Sequence, residues 1–583
     1  MIMARRRDDL FALSAKANAK VFSSLRAAVI SVALFYAFIP GESFGYRVVG
    51  IEGRNDAAIE FAWRDTLSEI QKILAAFGYY KGPVNGRVNE ATIDAIRKYR
   101  RRNGIIDDEM IWPSVLVHMR ALGEALKMQK SLKAARARQI EEARLKLEQH
   151  SGSRELVVQG ATKEVADPTH DPSICFSAPT LRCLIEEALE TIKGINRQRY
   201  RNWALQDLVG VQAQAGLIDM MRETLKRITD ARLILVSLRD SVGIMSSLGR
   251  TDEAQDMIEM MPSGRDRIRS LVSVAQGLLA RGDKAGAIEI VERLKTELTE
   301  FKSGQFPAQV HAEVAVVFAQ FGLLNQSENA LERIATAPDS TEVHPIVFGN
   351  IIAAYAGMGR LDAAEEKLTV SKSSSDFRKG RMALSATYAK LGEIDRALHH
   401  AEGIESPRYR VIALSGAAMS AIAAGNNDGG LRMLEAALGS MPDVEGEFAT
   451  DYAWSNIAEV QGRLGAREDA KNTALRIESR DMRARTLWKL SELSANVGRE
   501  EDRSYFENLA IVETKETDDF KRVSIWSEAA VGAAKAENIA LSWERLNRAI
   551  AIVREIKLRW WRARAISRVA RAFIVLETEA ARR

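Results

Sequence analysis

The chain has 583 residues, 46% of them apolar, with 83 lysines and arginines against 78 aspartates and glutamates. That length leaves room for several domains and that apolar share buries real cores, so most of the chain is folded. A net charge of +5 is too small to mark a dedicated nucleic-acid binder or an acidic tail. With 12 prolines and abundant Ala, Leu, Glu and Arg, the composition predicts a mostly α protein.

The N-terminus opens with Arg5, Arg6 and Arg7, adds Lys16, Lys20 and Arg26, and then runs uncharged from Ala27 to Ile39. Such a run falls short of the roughly 20 residues a bilayer-crossing helix needs and suits a signal-peptide core. Residues 1–45 are therefore expected to be a signal peptide or a membrane anchor, with Gly41 and Ser43 as small residues for cleavage. The localisation that follows is periplasmic, or anchored in the inner membrane and facing the periplasm.

Leu67, Ile70, Leu74 and Phe77 lie at helical spacing, and Gly78 stops that helix. The stretch YYKGPVNGRVN then reads as a turn on Gly82, Pro83, Asn85 and Gly86. Thr92, Ala95, Ile96 and Tyr99 begin a second apolar stripe that ends at Asn103-Gly104, and Pro113 starts a third short helix carrying Val115, Leu116 and Met119 inward. Three helices around a glycine-rich turn make a unit placed at residues 62–118.

In Ile70-Gln71, Leu74, Gly78-Tyr79-Tyr80, Gly82-Pro83-Val84, Gly86, Thr92, Ala95-Ile96, Tyr99 and Asn103-Gly104-Ile105, this unit resembles the peptidoglycan-binding domain appended to many bacterial cell-wall hydrolases. The chain departs from that family's usual Asp at Asn85, Gly at Asn89 and Gln at Arg100. The resemblance implies peptidoglycan as a partner. A shallow site for wall sugars and peptides wants an aromatic to stack, turn donors and a basic group, which Tyr79, Tyr80, Asn85, Arg87 and Thr92 would supply. Against this, the two tyrosines equally suit a core plug, and Thr92 a helix cap.

Residues 119–150 read as a helical spacer with eight basic and four acidic side chains and a thin, alanine-rich stripe, roughly 45 Å long at 1.5 Å per residue. Residues 151–175 break every period and read as a linker. Cys175 and Cys183, the only cysteines, suit a disulfide in an oxidising compartment as well as two free buried thiols.

From 176 to 583 an internal repeat takes over. Glycines recur in one local context at 216, 249, 282, 322, 359, 392, 425, 465 and 498, and Glu537 stands where the tenth would be, at intervals of 33 to 40 residues. Each glycine would turn the chain between two helices; a small residue five positions on, as at Ala254, Ala287, Ser327, Ala364, Ala397, Gly430, Ala470 and Ser542, would let them approach. Eight positions before the turn sits an apolar residue, such as Leu208, Val274, Leu384 or Leu490. In the unit containing Leu384, Tyr388, Gly392 and Ala397 the array resembles tetratricopeptide repeats, which implies an α-solenoid of about ten hairpins whose concave face holds a protein or peptide partner. The last helix, with Trp560 and Trp561, is expected to cap the open end.

None of the seven histidines has a zinc-protease spacing, and no phosphate loop or nucleophile elbow is present. No cofactor, metal, catalytic residue or nucleic-acid partner is called. The expected function is a non-catalytic envelope protein that binds peptidoglycan and scaffolds partners; the alternatives are a scaffold without wall binding, or a peptidoglycan hydrolase.

Overall fold

The computed structural model describes residues 57–105, 113–158, 164–299, 308–333, 340–369 and 378–582. Residues 1–45, read as leader or anchor, lie outside them. Among the described residues there is no β-strand, and no helix is long and apolar enough to cross a membrane. The chain divides into two compact units, residues 1–139 and 140–583.

In the first unit, α1 (Ala57–Ala76) and α2 (Glu90–Asn103) pack with the start of α3 (Pro113–Gln149). Their core is Leu67, Ile70, Leu74, Tyr80, Ala95, Ile96, Tyr99, Leu116 and Met119. Gly104, left-handed at φ 67°, ends α2 by donating to the carbonyls of its last turn. The third helix does not stop at 118, as the boundary drawn from sequence has it. No proline lies between Met119 and Gln149, and the helix runs on through Gly123 while Met119 and Leu122 still serve the small core. A two-pronged pair from Arg120 to Glu69, at 2.6 Å for both bonds, ties the helix to α1.

The second unit begins within α3. Ala143 and Leu147, followed by Leu156 in α4 (Glu155–Val158), are buried in its core, and Ser153 donates to the Leu147 carbonyl at 3.0 Å. Of the stretch read as a linker, Ser153 and Leu156 are thus buried, while most of its other described residues are exposed. Next come α5 (Ser173–Ser177) and α6 (Leu181–Lys193). Cys175 and Cys183 form a disulfide across the turn between them, which excludes the free-thiol reading.

Ten hairpins follow in order: α7 and α8 (Gln198–Ala215, Ile218–Lys226), α9 and α10 (Ala231–Ser247, Thr251–Glu259), α11 and α12 (Arg265–Ala280, Lys284–Thr299), α13 and α14 (Ala308–Gln320, Leu324–Glu332), and α15 and α16 (Ser340–Gly357, Leu361–Thr369). The second five are α17 and α18 (Arg378–Leu391, Ile394–Glu402), α19 and α20 (Pro407–Ala423, Asn427–Gly439), α21 and α22 (Glu447–Leu464, Arg467–Leu475), α23 and α24 (Arg480–Ala495, Glu500–Lys515), and α25 and α26 (Asp519–Lys535, Ile539–Glu555). The final helix is α27 (Arg559–Ala581).

All nine repeat glycines have positive φ, between 72° and 87°. At Gly392 the turn closes with Gly392 N–H on the Ala389 carbonyl and Glu393 N–H on the Tyr388 carbonyl, the paired bonds of a Schellman stop. Glu537 makes the same turn at φ 63°, the one non-glycine residue at positive φ among those described. A side chain there costs about 1–2 kcal/mol, part of which glycine returns as unfolded-chain entropy. Glu537→Gly should therefore stabilise the array by about 0.5–1 kcal/mol, read as a higher midpoint in chemical denaturation; an unchanged or lower midpoint would refute it. The small positions are closed as expected: Ala254, Ala287, Ala364, Ala397, Ala470 and Ser542 are fully buried.

Each odd-numbered helix from α7 onward packs on the next odd-numbered helix, whereas the even-numbered ones pack on their own partners and only lightly on the following hairpin. The odd-numbered helices thus form the tighter, inner course. That course closes: α27 packs on α25 and returns to pack on α7, and it takes α6 as its hairpin partner. The eleventh hairpin is thus assembled from the two ends of the array. This overturns the expectation that α27 caps an open end. Its apolar faces are covered by the beginning of the same array, with Leu184, Ile185, Ala188 and Ile192 of α6 buried. Tyr200 stacks on Trp560 at 4.7 Å, the Trp560 and Trp561 rings lie tilted with centroids 3.9 Å apart, and Arg564 Nε lies 2.6 Å from the Asp207 carboxylate across the seam.

Candidate functional site

The loop between α1 and α2 is built around one side chain. Gln71 lies on the inward stripe of α1 and is fully buried. Its Oε1 accepts from the backbone N–H of Asn85 (3.0 Å) and of Gly86 (2.9 Å), and its Nε2 donates to the Arg87 carbonyl (2.8 Å) and to Thr92 Oγ1 (3.0 Å). Both ends of one amide are therefore spent on pinning the turn. Gly86 stands at φ 68°, where an added Cβ would come 2.3 Å from the Arg64 carbonyl oxygen, so the turn needs glycine there for both conformation and space.

Asn85 Oδ1 accepts from the Arg87 N–H at 3.0 Å, an Asx turn that an aspartate would make equally. Asn89 caps α2, accepting from Thr92 N–H at 2.8 Å and from Thr92 Oγ1 at 2.9 Å. Its backbone is extended at φ −140°, so no glycine is needed. Both departures from the family pattern thus keep the local fold.

Of the five residues expected to bind, the structure presents three. Asn85 and Arg87 are exposed on the turn, and Tyr79 is half-buried, its ring edge-on to Tyr99 at 5.8 Å. Tyr80 and Thr92 are corrections. Tyr80 is buried with its hydroxyl on the Pro83 carbonyl at 2.9 Å, and Thr92 is buried between Gln71 and Asn89. They build the loop from within, and the cap assigned to Thr92 belongs to Asn89. The expected turn donors are corrected too: the N–H groups of residues 85, 86 and 87 are all engaged within the loop.

What faces solvent is a strip of Lys81, Pro83, Val84, Asn85, Arg87 and Val88 beside Tyr79. Its chemistry is a cation, an amide, apolar contacts and a partly covered phenol. Behind it Tyr99 is fully buried, bonded through its hydroxyl to His118 Nδ1 at 2.5 Å. Burial, with the nearby Tyr79, pushes the Tyr99 phenol well up, and burial holds His118 below the usual histidine range. Both shifts favour the neutral forms, and the hydrogen bond braces α2 against the start of α3. Among the described residues no three metal-ligating side chains gather. Gln71 was the residue missed as a site element; a glutamine inside the Leu67, Ile70, Leu74 stripe was the available signal.

Residues 64–108 match the family model described as "Putative peptidoglycan binding domain". No curated protein matches the chain. Among solved structures, a circular tandem repeat protein with novel repeat topology and enhanced subunit contact surfaces aligns over 90% of this chain and 98% of its own at 14% identity; its TM-score of 0.12 gives it no weight for the fold. Over residues 64–108, which include the whole Gln71-braced loop, the small unit is similar to the peptidoglycan-binding domain family.

Proposed function

We propose that this is a non-catalytic protein of the bacterial cell envelope that attaches to peptidoglycan through residues 64–108 and uses its helical array to hold protein partners. The observation carrying the reading is the family match over 64–108 joined to a loop, braced by Gln71, that turns Asn85 and Arg87 outward. The Cys175–Cys183 disulfide suits an oxidising compartment, in keeping with the basic leader and a periplasmic or inner-membrane-anchored location facing the periplasm.

The test is co-sedimentation of the full chain with insoluble peptidoglycan. The chain should pellet, and Arg87→Ala should weaken the association about tenfold, the scale of one hydrogen bond from a charged group. Absence of the wild-type chain from the pellet would leave the scaffold reading without wall binding. Release of soluble wall fragments would instead identify a hydrolase.

A further inference from the structure

Two ion pairs on the inner course share one register. Arg269 of α11 and Arg485 of α23 stand thirteen residues before the turn residues Gly282 and Gly498, and their partners Glu313 of α13 and Glu528 of α25 stand nine before Gly322 and Glu537. In α19 and α21 the same register carries no charge. Ile412 and Tyr452 occupy the earlier position, Gly416 and Asn456 the later one. Gly416 is exposed in mid-helix, and a Cβ added there would meet nothing within 4 Å. Glycine weakens a helix interior and no neighbour requires it here, so the position is left open to an approaching backbone.

Arg408, Ile412 and Gly416 follow at spacings of four along one face of α19, as Phe448, Tyr452 and Asn456 do along α21. The two faces meet at their upper ends, where Arg408 Cζ lies 5.3 Å from the Phe448 ring and 5.6 Å from the Tyr452 ring. Phe448 and Tyr452 stack on each other at 6.3 Å and are the only two aromatic residues exposed among those described, at 43% and 36%. Tyr409 extends the cluster, 5.3 Å from Arg408 and 4.3 Å from Arg378 of α17. Arg408 has rings for neighbours and no carboxylate, and its Nε is buried without an acceptor. Exposed aromatics framing an arginine are the composition of a binding hot spot, and a guanidinium without an ion pair fits a carboxylate.

We propose that the face shared by α19 and α21 docks an acidic peptide segment of a partner protein, which sets a carboxylate on Arg408 and an apolar side chain on Phe448 and Tyr452 while its backbone passes over Gly416. This rests on reading the array as a holder of protein partners and is independent of wall binding.

The experiment measures fluorescence anisotropy of three labelled octapeptides on the full chain: alternating Glu and Phe, alternating Lys and Phe, and alternating Glu and Ser. The expected result is saturable binding of the first, on the order of tenfold tighter than either of the others. Gly416→Phe, which fills the open position, and Tyr452→Ala should each weaken it by about tenfold. Arg408→Gln should remove the preference for glutamate over lysine. Leu475→Ala, at an exposed apolar residue of the outer helix α22, should change nothing. Equal binding of the lysine peptide overturns the proposal. So does binding that all three site variants leave intact, which would keep the array as a peptide holder and move the site elsewhere. Failure of all three peptides to bind overturns both the site and the holder reading. Binding of a chito-oligosaccharide in the peptide's place, lost in Tyr452→Ala, would make the face a sugar platform and also overturn the proposal. Tyr452→Ala keeps the test decisive if Gly416→Phe does not fold.

Discussion

Ile185→Asp should open the array. Ile185 is fully buried on α6, the helix that serves as the second member of the hairpin begun by α27, more than 360 residues away in sequence. A carboxylate there has neither water nor an arranged partner, and burying an unpaired charge costs several kcal/mol, on the order of 4 or more. The array can escape that cost by releasing α6, which strips α27 of the cover that helix provides. The expected outcome is a larger radius of gyration in small-angle scattering and faster hydrogen exchange over 173–193 and 559–581, with the middle hairpins still helical. A variant that stays as compact as wild type, with α27 amides still protected, would show that α6 does not close the array.

The means of holding α6 explain why one substitution should suffice. Successive hairpins are joined by short connections, so each helix docks at high effective concentration. The α6–α27 contact has no such help and relies on its own surface. The chain accordingly adds fixtures at this seam: the Cys175–Cys183 disulfide that ties α5 to the first turn of α6, Phe176 buried with Arg554 of α26 5.8 Å from its ring, and His170 paired with Glu187 of α6. The Asp207 and Trp560 contacts secure the other side of α27.

The hairpins were legible because each is encoded locally. A glycine at positive φ and a small residue five positions later recur in almost every unit, and Glu537 was correctly placed in the same turn although its residue type argues against it. Closure was not legible, because no local pattern pairs residues near 185 with residues near 570. Trp560 and Trp561 advertise an apolar surface without saying what covers it. In the small domain the turn was readable from Gly82, Pro83 and Gly86, but residue type alone does not give direction. Tyr79 and Tyr80 are adjacent, yet Tyr80 is buried in the core while Tyr79 packs half-exposed against it. Thr92 looked like a cap because it opens a helix; Asn89 caps first and uses Thr92 as its donor.

Gln71→Leu should remove the binding loop without touching any residue that faces solvent. Leucine nearly matches glutamine in volume, so packing against Leu67 and Leu74 survives, but four polar groups lose their partner: the N–H of Asn85 and of Gly86, the Arg87 carbonyl and Thr92 Oγ1. Each buried group left unsatisfied costs about 1–3 kcal/mol, less what water regains at the exposed edge. A net loss of about 3 kcal/mol is about a third or more of what a unit of this size has, at roughly 0.05–0.15 kcal/mol per residue. The expected reading is rapid hydrogen exchange at Asn85 and Gly86, a lowered melting transition for the first unit with the array's own transition unchanged, and loss of the chain from the peptidoglycan pellet. Arg87→Ala should lose binding with those two amides still protected, which separates a side chain that touches the wall from one that only shapes the loop. If Gln71→Leu leaves both the amides and the pelleting as they were, the loop is held by Gly86 and its own Asx turn, and Gln71 is an ordinary core residue.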